Sequence, residues 1–336
     1  MAFIAYERGL CDVELIELTN ENSMLKNQAR YLVRRKEPQL WEIVLRTDNP
    51  NRKSLVDQVV GNALPESQDP DEVSIAVKAF MDADLPNELI ELLEKIILEN
   101  SIFSDNRNLQ NLLILTAMKA NQSRLTEYID RLNNFDAPDI ANIAISHNLF
   151  EEAFTIYKKY NVNDSAIEVL INHIVNLDRA QEFAELCNEP AVWSKLAKAQ
   201  LDQLMIKESI DSYIKAEDPS NALNVIACAE KMDKYVELVK YLSMARKKVR
   251  DATIEGELLF ALAKTNRLNE MEELIAAPSI AQVQTVGEKC FEHRLFEAAK
   301  LLFSSISNFS KLASTLVYLK EYQQAVECAR KANSTK

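Results

Sequence analysis

The chain has 336 residues, of which 47% are hydrophobic and 7% aromatic, and its formal net charge at pH 7 is -12. This charge repels phosphate backbones and anionic lipid, so we expect no nucleic-acid partner. The longest apolar run, at 112–115 and just beyond, is too short to span a bilayer, so we expect no direct membrane insertion. The 5 cysteines are odd in number and sit among apolar helical residues, which is typical of reduced thiols in the cytoplasm. Residues 1–10 lack a basic region followed by an apolar stretch, which argues against secretion.

Helices are the predicted elements along the whole chain, because it contains only 4 Gly and 9 Pro. Asp69 and Pro70 carry helix-start chemistry, and so do Asp164 with Ser165 and Asp218 with Pro219. Apolar residues recur at helical spacing in three places. In chain order they are Leu149, Phe150, Ala153, Phe154 and Tyr157; Ile210, Tyr213 and Ile214 followed by Ala222, Val225 and Ile226; and Leu295, Phe296, Ala299 and Phe303.

A long internal repeat is the main organising feature. The segment EPQLW, which begins at Glu37, returns as EPAVW from Glu189, and these two segments hold the only two Trp of the chain, 152 residues apart. Other matches follow in the same order, at offsets between 140 and 151. They are Asp69-Pro70 with Asp218-Pro219, Met81-Asp82 with Met232-Asp233, Lys119 and Asn121 with Lys264 and Asn266, APDIA from Ala137 with APSIA from Ala277 (including Pro278), and HNLFEEA from His147 with HRLFEAA from His293.

A unit of this length is too long for a tetratricopeptide or ankyrin motif and must contain several helical hairpins of ~30 residues. We therefore predict an all-α fold, an elongated two-layer α-α solenoid in which short helix hairpins stack as a superhelix or zigzag. The predicted divisions are the end of one repeat at 1–40, a second repeat at 41–192 and a third at 193–336.

Signatures of catalysis are missing from the sequence. The glycines are isolated, so no loop can cradle a phosphate. Cys290 and His293 lie on one helix face at i and i+3, but no second pair at zinc-like spacing accompanies them, and a buried thiol beside a turn is the simpler interpretation. None of the 3 histidines has a nucleophile in protease or esterase context. We predict no enzyme activity, no cofactor and no metal site.

Two basic runs are the candidate contact sites for protein partners. They comprise Arg246, Lys247, Lys248 and Arg250, and Arg34, Arg35 and Lys36. Either run could dock an acidic partner. The alternative interpretation is that both are helix C-terminal charges that complement the helix dipole.

Several stretches together resemble the clathrin heavy-chain family. They are YLVRRKEPQLW from Tyr31, ADLPNELIELLEKI from Ala83, RNLQNLLILTA from Arg107, FDAPDIANIAIS from Phe135 and CNEPAVWSKLAKAQL from Cys187. The resemblance covers essentially the whole chain. It implies a leg segment near the knee, built from clathrin heavy-chain repeats, in a protein whose three legs meet in a triskelion.

The same resemblance implies a function, namely scaffolding of polyhedral coats in endocytosis and intracellular protein transport. The partners would be other heavy-chain legs, with clathrin light chain left open, and the location would be the cytoplasmic face of coated pits and coated vesicles. The family supplies no catalytic residues to carry over. Two alternatives remain at this point, an endolysosomal tethering or sorting subunit that uses the same helical repeat and a tetratricopeptide-like adaptor, although the adaptor would need a 34-residue period that the sequence lacks.

Overall fold

The computed structural model describes residues 2–99, 102–277 and 279–334, and in these ranges the regular structure is helical, without β-strands. Pro278, part of the second APxIA match, lies outside the described residues. The chain divides into two compact units, Met1–Val162 and Asn163–Lys336. The prediction of an all-α solenoid is confirmed.

The first unit consists of short helices joined by short turns. Its α-helices are α1 (Ala2–Gly9), α2 (Asp12–Glu21), α3 (Leu25–Arg35), α4 (Pro38–Val44), α5 (Arg52–Gln58), α6 (Pro70–Asp82), α7 (Pro86–Leu98), α8 (Arg107–Ala120), α9 (Leu125–Arg131), α10 (Ala137–Ser146) and α11 (Phe150–Lys159). A π-helical turn at Val59–Ala63 follows α5, and a 3-10 turn at Gln122–Arg124 precedes α9. Helices pack on their neighbours in sequence and also on the next helix but one, as α4 does on α6 and α9 on α11. Contacts of both kinds produce two layers.

The second unit repeats this arrangement. Its α-helices are α12 (Asn163–Asn172), α13 (Leu177–Cys187), α14 (Pro190–Asp202), α15 (Ile206–Ala216), α16 (Ala222–Lys231), α17 (Tyr235–Lys248), α18 (Ala252–Lys264), α19 (Leu268–Ala276), α20 (Val283–Glu292), α21 (Phe296–Ser305), α22 (Phe309–Tyr318) and α23 (Tyr322–Ser334). Here α15 packs on α17, α18 on α20 and α19 on α21, in addition to sequence neighbours. In the part of the chain that the structure describes, no helix has both the length and the apolar character needed to cross a bilayer.

Many of the turns between helices contain a residue in the left-handed backbone region. At the end of α10, the N–H of Leu149 donates to the carbonyl of Ala144 over 2.9 Å, across a left-handed Asn148. This is the Schellman arrangement, which satisfies the free carbonyls of a helix end and reverses the chain. Left-handed residues recur at the offsets of the sequence repeat. The pairs are Lys36 with Asn188, Asp84 with Asp233, Asn148 with Arg294, and Asn161 with Ser307.

Both Trp side chains occupy the same local structure. Glu37 or Glu189, with extended backbone, stands at the N-cap position of a helix whose first residue is Pro38 or Pro190, and the Trp that follows is buried. The sequence repeat is thus also a repeat of turn and helix geometry. The limits predicted for the repeats, 1–40, 41–192 and 193–336, stay predictions.

Candidate protein-interaction surfaces

The second basic run occupies the C-terminal end of α17, where Arg246, Lys247 and Lys248 form the last turn. The guanidinium of Arg246 lies 3.4 Å from a carboxylate oxygen of Glu255 on α18. Lys248 forms an ion pair with Glu217, which follows α15. Two of the basic side chains are therefore held by internal partners.

Glu255 is the buried centre of this region, with 2% of its surface exposed. It accepts hydrogen bonds from the Ser279 hydroxyl at 2.6 Å and from the Ile280 N–H at 2.8 Å. Burial alone would raise the pKa of Glu255, but these two hydrogen bonds and the Arg246 charge hold the pKa below its ordinary value. Glu255 is thus a charged carboxylate that joins α17, α18 and the segment ahead of α20.

Lys247 and Arg250 are exposed and, unlike Arg246 and Lys248, have no ion-pair partner among the described residues. Both line a shallow cleft of about 370 Å³ whose apolar part is formed by Leu258 and Leu274. An exposed cation beside apolar surface can contact an acidic side chain of another protein without first breaking an internal pair. These two residues are the available part of the second run.

The first basic run lies at the C-terminal end of α3. Arg35 lies 3.1 Å from Asp12, and Lys36 forms an ion pair with Asp69. Arg34 is exposed and has no ion-pair partner within residues 2–99, 102–277 and 279–334. It lines a polar cleft of about 540 Å³ together with the ion pair of Arg30 and Glu66.

Both runs thus lie at helix C-termini, as the dipole interpretation expects. That interpretation does not account for every charge. Four of the seven side chains have internal partners, and among the described residues Arg34, Lys247 and Arg250 do not. Partner docking by these three stays a prediction.

The paired Cys290 and His293 are placed as the simpler interpretation expects. Cys290 is fully buried, and burial raises the pKa of its thiol to about 12, which disfavours the thiolate that binds metal. His293 follows the end of α20, with its ring edge-on to Phe260 at 5.2 Å between centroids. Among the described residues, no group of three or more His, Cys, Asp or Glu side chains is arranged to hold a metal ion.

Two features were missed by the sequence interpretation. One is Glu255, whose signal was present, since it is an acidic residue at the start of the long apolar run of α18. The other is a cavity of about 690 Å³ between α4 and α6, lined by Trp41. No sequence signal marks this cavity, because residues more than 30 positions apart form it.

Comparison with known proteins identifies the repeat. The family model described as "Clathrin: Region in Clathrin and VPS" matches residues 64–208 and 213–336. The chain is 61% identical to a clathrin heavy chain of Drosophila melanogaster, 60% to clathrin heavy chain 2 of Homo sapiens and 57% to a clathrin heavy chain of Dictyostelium discoideum, each over 336 residues. These alignments cover 100% of the chain and 20% of each relative, so the chain spans about a fifth of the length of these relatives. With its helical repeats and these matches, the chain belongs to the clathrin heavy-chain family.

Proposed function

We propose that the chain is a structural leg segment of a clathrin heavy chain, which scaffolds the polyhedral coat of vesicles in endocytosis and intracellular protein transport. The observation that carries this proposal is identity of 52–61% to proteins named clathrin heavy chain along the entire chain. The family model alone also covers VPS proteins, which is the tethering alternative, but the relatives favour the coat.

The fold suits this role physically. Because each hairpin contacts only its near neighbours, a solenoid gains length by adding hairpins, and small rotations between them allow bending. Contacts between legs can each be weak, since three legs held in one triskelion engage together and their affinities multiply through effective concentration. A coat built this way assembles and disassembles readily.

The partners that we propose are other heavy-chain legs in the cytoplasm, with clathrin light chain as a further candidate. A contact role for Arg34, Lys247 and Arg250 with acidic surfaces of neighbouring legs is supported by their exposure and by the lack of an ion-pair partner in the part of the chain that the structure describes. Individual rim charges of this kind change association rates and salt dependence more than final affinity. The proposed role is structural and involves no catalysis.

The test adds the purified segment in excess to triskelia during coat assembly, which is followed by light scattering and sedimentation. We expect slower assembly and a smaller pelleted fraction, because the segment occupies leg contacts. The double variant Lys247→Glu with Arg250→Glu should compete at least threefold less well. The control reverses two exposed lysines elsewhere in the same unit, Lys231→Glu with Lys234→Glu, and should compete like the native segment.

Assembly that is unaffected by the native segment at a tenfold molar excess would contradict the coat proposal. Equal competition by the two double variants would contradict only the assignment of Lys247 and Arg250. Circular dichroism and urea unfolding of each variant check that the fold is intact.

A further inference from the structure

The cavity between α4 and α6 is a concave feature that the proposed coat contacts do not use. Its volume of about 690 Å³ falls within the range of ligand pockets. Trp41, Leu45, Ile75 and Ala79 provide apolar lining. Arg46, Arg52 and Lys78 add cationic groups at its edge.

Two side chains that line this cavity each carry a buried donor nitrogen without an acceptor among the described residues. Trp41 is 1% exposed, and its indole Nε1 has no hydrogen-bond partner within the described ranges. The Nε of Arg52 is likewise buried and without a partner, although its Nη2 donates to the carbonyl of Ala83 at 3.0 Å. Most buried donors in folded proteins have an acceptor, because a donor without one has lost its hydrogen bonds to water. Two such donors on residues that line one cavity are therefore unusual.

In the second repeat, the indole N–H at the equivalent position has an acceptor within the chain. There the Nε1 of Trp193 donates to the Oδ1 of Asn188 over 3.2 Å, and the ammonium of Lys215 lies 4.0 Å from the ring centroid. The first repeat has Lys36 at the turn position of Asn188. An ammonium group accepts no hydrogen bond, and Lys36 is paired with Asp69. The unmet donor is therefore particular to the first repeat.

We propose that this cavity binds a short peptide segment of a partner protein that presents a large apolar side chain next to a carboxylate. The apolar side chain would lie against Trp41, Leu45 and Ile75, and a carboxylate or carbonyl oxygen would accept from the indole N–H and from Arg52. Lys78 and Arg46 have no ion-pair partner in the described residues and add attraction for the carboxylate.

The rim favours a peptide over a small free acid. The lining contains three acidic residues, Glu42, Asp48 and Asp82, beside the three basic ones, so its net charge is close to zero. An apolar centre with a rim of mixed sign is the composition of a protein contact, whereas a site for a free anion would carry an excess of positive charge. This peptide site is separate from the cationic positions proposed for contacts between legs, and it can fail without affecting them.

Nuclear magnetic resonance of the native chain can test the proposal, because the two Trp side chains give only two indole N–H signals. The probe is an acetylated and amidated dipeptide of phenylalanine and aspartate. We expect a saturable downfield shift of the Trp41 signal, with a Kd on the order of 0.1–1 mM, the range expected for so small a ligand. The Trp193 signal should stay in place. The variant Trp41→Phe assigns the two signals.

Matched probes and variants separate the contributions of the ligand carboxylate, of the cationic side chains and of the cavity itself to binding. Replacing aspartate by asparagine in the dipeptide should weaken binding about tenfold, and so should Lys78→Gln with Arg46→Gln. The substitution Ile75→Arg fills the cavity and should abolish the shift, while Lys53→Gln, at an exposed position outside the lining, should leave it unchanged.

Three outcomes would overturn the proposal. They are no saturable shift of the Trp41 signal at 10 mM dipeptide, a shift that persists in Ile75→Arg, and binding of free N-acetylphenylalanine as tight as that of the dipeptide. The last would make the ligand a small amphipathic acid rather than a protein segment.

Discussion

The hydroxyl of Ser279 donates a 2.6 Å hydrogen bond to the carboxylate of Glu255, and this bond ties the segment between α19 and α20 to α18. The N–H of Ile280 donates to the same carboxylate oxygen, and Arg246 approaches the other. A single buried carboxylate thus joins three segments of the second unit. Its contribution to stability should depend on pH.

Substitution Glu255→Gln should destabilise the chain by about 1–3 kcal/mol at pH 7, because the amide keeps the shape but removes the charge opposite Arg246. The folded-state pKa of Glu255 is lowered, so its stabilising effect is present above the unfolded pKa and is lost as pH falls through the folded pKa. Urea unfolding at pH values from 7 down to 3 measures this. The difference between native and variant proteins should shrink toward the acid end. A constant difference would contradict a charged Glu255.

Lys159 caps the end of α9 from a neighbouring helix. Its ammonium donates to the carbonyls of Ile129, Asp130 and Leu132 at 2.6–2.8 Å, where the helix dipole is negative. Substitution Lys159→Met should cost about 2 kcal/mol in the free energy of unfolding, since these carbonyls lose a charged donor.

The adjacent Lys158 is exposed, so Lys158→Met is the matched control and should change stability by less than about 0.5 kcal/mol. Urea unfolding at pH 7 measures both variants. If the two variants unfold at the same urea concentration, the carbonyl contacts of Lys159 contribute nothing to stability.

Val175 holds a backbone conformation that its side chain disfavours. Its φ is 55°, and 64% of its surface is exposed, so packing does not compensate for the strain. Because Asn tolerates the left-handed region far better than a β-branched residue, Val175→Asn should stabilise the chain by about 1 kcal/mol. Thermal unfolding should show a higher midpoint.

The control is Val236→Asn, which makes the same change at an exposed position inside α17 and should be neutral or slightly destabilising. A lower midpoint for Val175→Asn than for the native chain would rule out backbone strain at this turn.

Substitution by alanine should change the stability of the chain in opposite directions at two glycines. A Cβ on Gly287 would lie 2.8 Å from the ring of Phe303, which is fully buried and cannot move aside, so Gly287→Ala should cost about 1–3 kcal/mol. A Cβ on Gly61 meets nothing within 4 Å, so Gly61→Ala should stabilise by about 0.5–1 kcal/mol through a lower entropy of the unfolded chain. Urea unfolding of the two variants in parallel measures both changes. Equal changes in the free energy of unfolding would contradict the close packing at Gly287.

Helical periodicity predicted many of the buried residues but underestimated how wide the buried face of a helix is. In α11 the predicted stripe included Ala153 and Tyr157, and both are buried. Ile156 lay outside that stripe, yet its exposed fraction is 0%. The reason is that α11 packs against both α9 and α10, which covers a wider face than one stripe. Periodicity within one helix cannot reveal the number of its neighbours.

For the two basic runs, local sequence predicted the position of the charges but not their ion-pair partners. Their place at helix ends could be predicted, because helix termini follow from local sequence. Their internal partners could not, since Lys248 pairs with Glu217 and Lys36 with Asp69, each more than 30 residues away in sequence. Which cations remain available to another protein depends on those distant pairs.

The sequence by itself determined that this chain is a helical repeat of the clathrin heavy-chain family and that Trp41 and Trp193 share one local structure, because turns, caps and helix starts depend on residues close in sequence. Only the tertiary structure decided that the Trp193 indole has an acceptor whereas that of Trp41 borders a cavity. Hydrogen-bond partners and cavities depend on how separate helices pack, and a difference at one turn position is enough to give two copies of the same motif different surroundings.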